Sequence, residues 1–389
     1  MKLLLVSDDY WPNLDGGALF ERRLANSLAA IHEVRVWAPS TTGPSGVQRD
    51  GGTVITRVAS RSLKSNSRYR VARLRPLRLW QEFRRWKPDV IHVHNAGWLG
   101  LCAMALARIF GVARISTNHM TVQQVALSAP RLLRNVVLEK IFGSYLAWFN
   151  NKFDAVIVPS AYARRLALEL GVESPVSIIS NGVDVDYFIP GILQIGESQV
   201  DAPLRIVYVG RLDADKEVGA LINLFKSIKS KVAIDLTVVG EGSCRTELEN
   251  LVHRDAKRTD LNGLSIVFTG PVPEAEKRAY LQKADLFCLS SRWELQCIAA
   301  LEAMACGTAL LVADAGALPE LCPDGSTGWL FDPFDADDLV RLIGSMTREE
   351  IAIRGEAARA FVTRRHSNEA TVAQYERLYT LIVDEPEAT

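Results

Sequence analysis

The sequence predicts an α/β protein with two Rossmann-like, doubly wound domains that face each other across a cleft. At 389 residues the chain is too long for one ordinary core. Short apolar runs alternate with helical segments in two successive series, which is typical of parallel sheets covered on both faces. Residues 189–203 fit neither pattern and predict a linker. We therefore expect domains at 1–188 and 204–365, with residues 366–389 forming a helix that packs back on the first domain.

Each predicted strand is a short apolar run, and each predicted helix is a longer segment with helical periodicity. In the first series the strands are expected at 3–6, 34–38, 53–58, 90–94, 113–117, 155–159 and 176–180, and the helices at 19–30, 77–86, 98–110, 131–149 and 161–171. In the second series the strands are expected at 204–210, 233–240, 264–270, 286–289 and 309–313, and the helices at 216–229, 243–253, 274–282 and 296–306. A turn near 328–331, helices to about 363 and a last helix at 368–383 complete the chain.

Composition and charge favour a globular protein with two electrostatically different halves. Hydrophobic residues make up 48% of the chain and charged residues 23%. The net charge is zero, but residues 1–190 hold 24 Lys and Arg against 14 Asp and Glu, and the remainder holds 21 against 31. The six cysteines form no C-x-x-C, which favours a reducing compartment over a disulfide framework or a metal site. The first apolar run is too short for a signal peptide, and Arg108 interrupts the longest one, so we expect a cytosolic or peripheral protein.

Two acids flank a predicted strand-to-helix junction in the second domain. The strand at 286–289 leads through a loop to a helix that we expect at 296–306, with Gly307 as the residue that terminates it. Glu294 lies in the loop and Glu302 one to two turns into the helix. A helix start at the carboxyl end of a sheet binds anions, and carboxylates accept hydrogen bonds from sugar hydroxyls. Alone, this spacing favours the simpler interpretation of a loop acid near a helix N-terminus and a solvated helix acid, because short motifs recur by chance.

Two cations follow the first strand of the second domain. Arg211 comes directly after that strand, and Lys216 is expected at the start of the next helix. Both should therefore lie at the same sheet edge as the Glu294 loop. Two cations beside a helix start can hold a diphosphate without a metal ion. The alternative is a surface arginine and a lysine near a helix cap.

The first domain offers glycines and histidines at the ends of strands. Gly16 and Gly17 are expected in the first strand-to-helix turn, where the absence of Cβ atoms allows close approach of a ligand. They form no G-x-G-x-x-G, so NAD binding is disfavoured. His119 follows a strand and is a candidate site residue or a structural histidine; His92 is expected to be buried and His94 to face the cleft. The absence of G-x-S-x-G, P-loop and H-E-x-x-H motifs removes support for hydrolase, kinase and zinc-protease functions.

A set of motifs along nearly the whole chain resembles family 4 of the retaining nucleotide-sugar glycosyltransferases, which have the GT-B fold. The matching segments are Gly16-Gly17, DVIHVHN at 89–95, TNH at 117–119, VPSAYARR at 158–165, NGVDVDYF at 181–188, VGRLDADK at 209–216, VVGEG at 238–242, and the two glutamates leading into LEAMACG. Their order and spacing together are specific to this family.

The resemblance implies a role for each matching position. Arg211 and Lys216 would bind the donor diphosphate, with Gly16 and Gly17 near the phosphate. Glu302 would bind the ribose hydroxyls, Glu294 the hydroxyls of the transferred sugar, and His119 would lie at the reacting sugar. The remaining donor contacts would be Val272 at the base and the backbone of Gln296, Cys297 and Ile298 at the distal phosphate or the sugar.

One segment departs from the family pattern. At 295–298 the chain has Leu-Gln-Cys-Ile, whereas the family usually has Phe-Gly-Leu at the last three of these positions. Gln296 resembles a variant of glycolipid-forming members, and Cys297 replaces a glycine whose backbone lies near the donor.

A basic and aromatic stretch in the first domain suggests a membrane surface as partner. Residues 57–87 contain 11 Lys and Arg and a single acid, Glu82, interleaved with aromatic residues. Residues 131–152 again combine bases with aromatic and aliphatic side chains. Such surfaces suit anionic lipid headgroups. A solvated basic face and nucleic-acid binding are the alternatives, the latter without any accompanying motif.

The leading hypothesis is a retaining hexosyltransferase that uses neither a metal nor another cofactor. Its donor would be a UDP-sugar, with GDP-mannose as the other candidate, and its acceptor a hydroxyl of a lipid or lipid-linked molecule at the cytosolic membrane face. The same chemistry on a soluble sugar or sugar phosphate is the alternative. A catalytically weak nucleotide-sugar-binding protein is the rival from another class.

Overall fold

The structure is a computed structural model, which describes residues 1–13, 16–62, 70–124, 136–191, 202–228, 233–256 and 263–384. The chain divides into two compact units. Unit 1 comprises Met1–Asn181 with Glu369–Thr389, and unit 2 comprises Gly182–Asn368. Residues 182–188 thus belong to the second unit, although the sequence analysis assigned them to the first. Most of the predicted linker, 192–201, lies outside the described residues.

Unit 1 is built on an eight-stranded sheet with the order β10-β9-β8-β7-β1-β2-β4-β3. Its strands are β1 (Lys2–Val6), β2 (Glu33–Pro39), β3 (Gly46–Asp50), β4 (Thr53–Val58), β7 (Val90–Val93), β8 (Ala113–Thr117), β9 (Ala155–Val158) and β10 (Val176–Ile178). All neighbours pair in parallel except β3, which runs antiparallel to β4. The short strands β5 (Ser60–Ser62) and β6 (Arg70–Ala72) form a separate pair.

The helices of unit 1 cover this sheet. They are α1 (Gly16–Leu28), α2 (Pro76–Trp86), α3 (Trp98–Phe110), α4 (Val136–Asn150) and α5 (Ala161–Glu169). The predicted start of the fourth helix, 131–135, lies outside the described residues. The first helix begins at Gly16 and not near residue 19, so the two glycines form its first turn and are not in a loop.

Unit 2 is built on a six-stranded parallel sheet with the order β13-β12-β11-β14-β15-β16. Its strands are β11 (Leu204–Val209), β12 (Ile234–Val239), β13 (Leu264–Gly270), β14 (Leu286–Leu289), β15 (Ala309–Ala313) and β16 (Gly328–Phe331). The last of these replaces the turn predicted at 328–331, because its four residues pair in parallel with β15. The central strands β11 and β14 are neighbours, which places the ends of both at one sheet edge.

The helices of unit 2 are α6 (Val218–Ser227), α7 (Arg245–Ala256), α8 (Glu274–Lys283), α9 (Ile298–Ala305), α10 (Ala336–Ser345) and α11 (Arg348–His366). The helix predicted from residue 216 is instead a 3-10 turn, Ala214–Lys216, followed by α6. None of the helices in the described ranges combines the length and the hydropathy that a membrane span needs.

The last helix, α12 (Asn368–Asp384), packs into unit 1. Its Tyr375 and Tyr379 side chains are fully buried. The Tyr379 hydroxyl lies 2.8 Å from Nδ1 of His92, which is itself buried as expected. This helix therefore completes the core of a unit whose other residues lie at the opposite end of the chain.

The loops that follow β11 and β12 touch each other at glycines. A Cβ atom on Gly240 would lie 1.9 Å from the carbonyl oxygen of Gly210, and the φ of Gly240 is +142°. No side chain fits there. The close contact holds the loop after β11, which carries Arg211, against its neighbour.

Candidate functional site

The loop after β11 carries a compact set of charged side chains. The Arg211 guanidinium donates to Asp213 Oδ2 at 2.5 Å and to Asp215 Oδ2 at 2.9 Å. Asp215 is buried, and the Ser243 hydroxyl and backbone N–H both donate to Asp213 at 2.8 Å. Burial raises the pKa of Asp213, but the Ser243 hydrogen bonds and Arg211 outweigh it and hold the pKa below its ordinary value. The arginine is thus held in place by two carboxylates at the strand end.

Lys216 and Glu294 meet at the shared edge of β11 and β14. The Lys216 Nζ lies 2.6 Å from Glu294 Oε1 and 4.0 Å from Asp215 Oδ2. Only 15% of the lysine side chain and 7% of the Glu294 side chain are exposed. Burial lowers the pKa of the Lys216 ammonium, but Glu294 and Asp215 raise it more, so the pKa lies above its ordinary value. The predicted neighbourhood of these side chains is therefore present as a buried ion pair.

Contacts with the backbone hold the loop that carries Glu294 in place. Its carbonyl oxygen accepts a hydrogen bond from the N–H of Ala317 at 2.9 Å. A Cβ atom on Gly316, whose φ is +62°, would lie 3.0 Å from the same oxygen. From the other direction, the Ser291 hydroxyl donates to the carbonyl of Asp215 at 3.1 Å. These contacts join the two loops that carry Lys216 and Glu294.

The helix after the Glu294 loop begins later than predicted. The helix α9 begins at Ile298, and Cys297 is its N-cap, with Sγ accepting from the N–H of Ala300 at 3.4 Å. Gln296, the predicted first residue, precedes the cap and is half-buried. Burial raises the pKa of Cys297 to about 12, so the thiol stays neutral. The N–H groups of the first helical turn follow Cys297 directly, and they have no backbone acceptor within the helix.

Glu302 is buried and paired, which rules out the interpretation of a solvated helix acid. Its two carboxylate oxygens lie 2.9 and 2.8 Å from the Nζ of Lys277 on α8. The exposed fractions are 4% for the Glu302 side chain and 16% for that of Lys277. Lys277 was not among the site residues predicted from the sequence. Val272 precedes α8 and packs, half-buried, against the core of unit 2.

In unit 1, a buried acid lies close to two histidines that follow the carboxyl ends of β7 and β8. The His94 Nδ1 lies 3.1 Å from the His119 Nε2, and each of these atoms lies 4.0 Å from Glu21 Oε1. Burial raises the pKa of Glu21 well above its ordinary value, lowers that of His94 well below it, and lowers that of His119 to about 4. Burial therefore disfavours the charged form of all three side chains. Glu21 was not among the predicted site residues.

This group, Glu21, His94 and His119, is the only set within the described ranges that could supply three metal ligands. Its shortest separation, 3.1 Å, has the length of a hydrogen bond between an imidazole N–H and an imidazole nitrogen. A hydrogen bond from one imidazole ring to the other explains this separation, and the tautomers determine which ring donates.

Gly17, at the start of α1, leaves space beside the backbone. A Cβ atom on Gly17 would have no atom within 4 Å, and its φ is not positive. The fold of unit 1 therefore does not itself require a glycine at position 17. That position is open for a bound molecule.

The basic surface of unit 1 is partly described. Six arginines of the predicted stretch are exposed among the described residues: Arg61, Arg73, Arg75, Arg78, Arg84 and Arg85. Leu77 beside them is 78% exposed. On α4 the exposed side chains include Val137, Ile141 and Trp148, with the Lys152 ammonium 6.0 Å above the Trp148 ring. Residues 63–69 and 131–135 of the two stretches lie outside the described ranges.

Comparison with protein families assigns both units to glycosyltransferases. Residues 15–187 match Glycosyltransferase Family 4, and residues 196–364 match Glycosyl transferases group 1. The chain belongs to the group 1 glycosyltransferases, and its two Rossmann-like units have the GT-B fold, as the sequence analysis predicted.

The relatives that the chain resembles include enzymes with different acceptors. It is 27% identical to the sulfoquinovosyl transferase SQD2 of Arabidopsis thaliana over 72% of the chain and 54% of that protein. It is 29% identical to a glycogen synthase of Mycobacterium tuberculosis, with coverage of 93% and 90%. Identity to the alpha-monoglucosyldiacylglycerol synthase of Streptococcus pneumoniae is 24%, over 85% of the chain and 75% of that enzyme.

Among solved structures, Anabaena Alr3699/HepE in complex with UDP-glucose superposes with a TM-score of 0.72. The match covers 98% of this chain and all of that one, at 17% identity. It confirms the fold.

Proposed function

We propose that the chain is a retaining hexosyltransferase that takes its sugar from a nucleoside diphosphate donor, a UDP-sugar, and transfers it to a hydroxyl of a lipid or lipid-linked acceptor. The observation that carries this proposal is the buried Lys216–Glu294 pair, with Arg211 beside it at the end of β11. It supplies two cations for a diphosphate and one carboxylate for sugar hydroxyls. Asp215 links the two cations, because its Oδ2 lies 2.9 Å from the Arg211 guanidinium and 4.0 Å from the Lys216 Nζ. The UDP-glucose complex of Alr3699/HepE and the family membership support a nucleotide-sugar donor.

In the proposed mechanism Arg211 and Lys216 stabilise charge on the departing diphosphate. Charge grows on the bridging oxygen as the bond to the sugar breaks, and fixed cations in a partly buried site stabilise it without reorganisation. No metal ion is assigned to this step, because the two cations fill that role. The acceptor oxygen forms its bond to the anomeric carbon on the face from which the phosphate leaves, and the leaving phosphate takes the acceptor proton. The anomeric configuration is therefore retained.

The remaining side chains orient the donor. Glu302, held by Lys277, accepts hydrogen bonds from the ribose, and Val272 packs on the base. Glu294 and the backbone of 296–298 bind the sugar and distal phosphate, Gly16 and Gly17 leave room near the phosphate, and His119 contacts the transferred sugar. His119 does so as a neutral ring, in line with its lowered pKa.

A donor screen with purified protein tests this function. UDP and GDP release are measured for a set of nucleotide sugars with diacylglycerol-type and soluble acceptors, and NMR gives the anomeric configuration of the product. We expect UDP release, a lipid product with the donor's configuration, and full activity after EDTA treatment. An inverted product, or a requirement for Mg²⁺, would contradict the mechanism.

The similarity to the mycobacterial glycogen synthase favours a second candidate, the same chemistry on a soluble sugar or sugar phosphate. Product formed only with soluble acceptors would support it. Nucleotide-sugar binding without turnover for any acceptor would instead identify a catalytically weak binding protein.

We further propose that the basic surface of unit 1 attaches the enzyme to the cytosolic face of anionic membranes. Exposed arginines near such a surface contribute about 1 kcal/mol each. The variant with Arg73, Arg75, Arg84 and Arg85 replaced by Gln should lose sedimentation with anionic vesicles. High salt should have the same effect, since it screens exposed charges.

The matched control replaces four exposed cations of unit 2, Lys283, Arg341, Arg364 and Arg365, by Gln. The change in net charge is the same as in the first variant. Because the basic surface of unit 1 is intact, the control should still sediment with vesicles. If both variants bind vesicles as the unmodified protein does, the basic surface is not the attachment site.

A further inference from the structure

The residue after Lys216 has a backbone conformation that glutamate rarely adopts. Glu217 has φ +52° and ψ +30°, in the left-handed region. It joins the 3-10 turn Ala214–Lys216 to the helix α6, so its conformation sets the direction in which the chain leaves Lys216. For residues other than glycine, and to a lesser degree asparagine and aspartate, this region is unfavourable and persists only where the surroundings enforce it.

Arg292, in the loop after β14, supplies that enforcement. Its Nε lies 3.0 and 2.9 Å from the two carboxylate oxygens of Glu217, and a terminal guanidinium nitrogen contacts the same carboxylate. The guanidinium also lies 4.7 Å from the Phe334 ring centre and 5.4 Å from that of Trp293. A planar guanidinium that is both bonded through two nitrogens and stacked has a defined orientation.

The same loop also holds the backbone on both sides of Lys216. The Ser290 hydroxyl donates to the carbonyl of Glu217 at 3.2 Å, and the Ser291 hydroxyl to that of Asp215 at 3.1 Å. Arg292 is two residues before Glu294, the partner of Lys216. One short segment therefore holds the turn that carries the lysine and also presents the carboxylate that the lysine contacts.

We propose that Arg292 is a positioning residue, which clamps Glu217 in the left-handed conformation and thereby holds the Lys216 ammonium where it acts on the donor diphosphate. The role of Lys216 rests on the proposed function, whereas the clamp itself does not. Without the arginine, Glu217 relaxes towards a right-handed conformation and the turn at 214–216 changes with it. With glycine at 217, the turn no longer needs the clamp, because glycine adopts positive φ readily.

If Arg292 acts through Glu217, a glycine at position 217 should restore the activity that is lost with the arginine. Arg292→Gln should lower kcat/KM at least about tenfold, mainly in kcat, because the cation for the transition state is displaced. The double variant Glu217→Gly with Arg292→Gln should recover to within about threefold of the unmodified protein, although it too has lost the stacking on Phe334 and Trp293. Arg292→Lys, which keeps the charge but loses the planar fork, should lie between the two.

The assays are nucleotide release kinetics, thermal unfolding and amide hydrogen exchange of a peptide that covers 213–218. Exchange should be faster in Arg292→Gln and should return to the original rate in the double variant. The control is Arg341→Gln, which removes an arginine of an exposed ion pair with Asp338 and should change none of these quantities.

A double variant as impaired as Arg292→Gln would overturn the proposal, and so would an Arg292→Gln protein with unchanged kcat and exchange but a lower Tm. If the unmodified protein releases no nucleotide from any donor, the proposed function has failed. The exchange measurement then still decides whether the clamp exists.

Discussion

Removal of the Lys216 ammonium should destabilise unit 2 because it strands a buried carboxylate. In Lys216→Met the volume is nearly kept, but Glu294, of which 7% is exposed, loses a cation at 2.6 Å. Breaking a buried ion pair by removing one partner costs about 3–5 kcal/mol. Since 15% of the lysine side chain reaches solvent, we expect the lower end, about 3 kcal/mol in the free energy of unfolding.

The second substitution distinguishes charge from packing. Adding Glu294→Gln to Lys216→Met removes the stranded charge at constant size, and should restore at least about half of the lost free energy. Urea unfolding followed by tryptophan fluorescence measures both. A control, Arg341→Met, breaks an ion pair whose arginine side chain is 76% exposed and should cost less than about 0.5 kcal/mol.

Two results would refute this reasoning. One is a Lys216→Met protein as stable as the unmodified protein, which would mean that the pair contributes nothing in the unliganded state. The other is a double variant no more stable than the single one, which would assign the loss to packing. Nucleotide release should remain low in both variants, because the catalytic cation is missing from each.

Further predictions concern other parts of the molecule. Arg211→Gln should lower kcat by about 10²-fold in nucleotide release, and unchanged turnover would contradict its role at the diphosphate. Gly240→Ala should cost more than about 3 kcal/mol in urea unfolding, since its Cβ atom would lie 1.9 Å from the Gly210 oxygen. Gly344→Ala, in the helix α10, meets no atom within 4 Å and should instead stabilise by up to about 1 kcal/mol. The pKa of His119 is lowered from 6.5 to about 4, so the unfolded state binds the proton first as the pH falls. The free energy of unfolding should then decrease between about pH 6.5 and 4, by on the order of 3 kcal/mol for this group. His119→Gln should reduce this decrease but not remove it, because His92, His94 and His366 also have lowered pKa values.

Strands that are continuous apolar runs could be predicted from the sequence. Strands that form only because a neighbouring strand supplies hydrogen-bond partners could not. The strands β11 and β14 are continuous apolar runs, so both were expected, and the meeting of Lys216 with Glu294 follows from their position at one sheet edge. The strand β3, with the sequence GVQRD, carries no such pattern and exists because β4 supplies an antiparallel partner. The segment at 328–331 begins with a glycine, which suggests a turn until its pairing with β15 is known.

Partners of buried charges were the part of the site that sequence patterns could not supply. Lys277 lies on a different helix from Glu302, and no spacing rule connects them. Glu21 did leave a signal, because it shares one helical stripe with the buried residues Leu24, Ala25 and Leu28. An acid on an apolar stripe indicates a buried polar partner, and here His94 and His119 are nearby.

The return of α12 to unit 1 has a consequence for synthesis on the ribosome. Residues 1–181 of unit 1 are translated before unit 2, but its Tyr375 and Tyr379 are translated only after all of Gly182–Asn368. At about 5–20 residues per second, that interval lasts roughly 10–40 s. During this time the nascent first unit exposes the apolar surface around His92 that α12 later covers, which makes it a substrate for chaperones that bind emerging chains. Unit 2, whose residues are contiguous, needs no segment that is translated after Asn368 to complete its core.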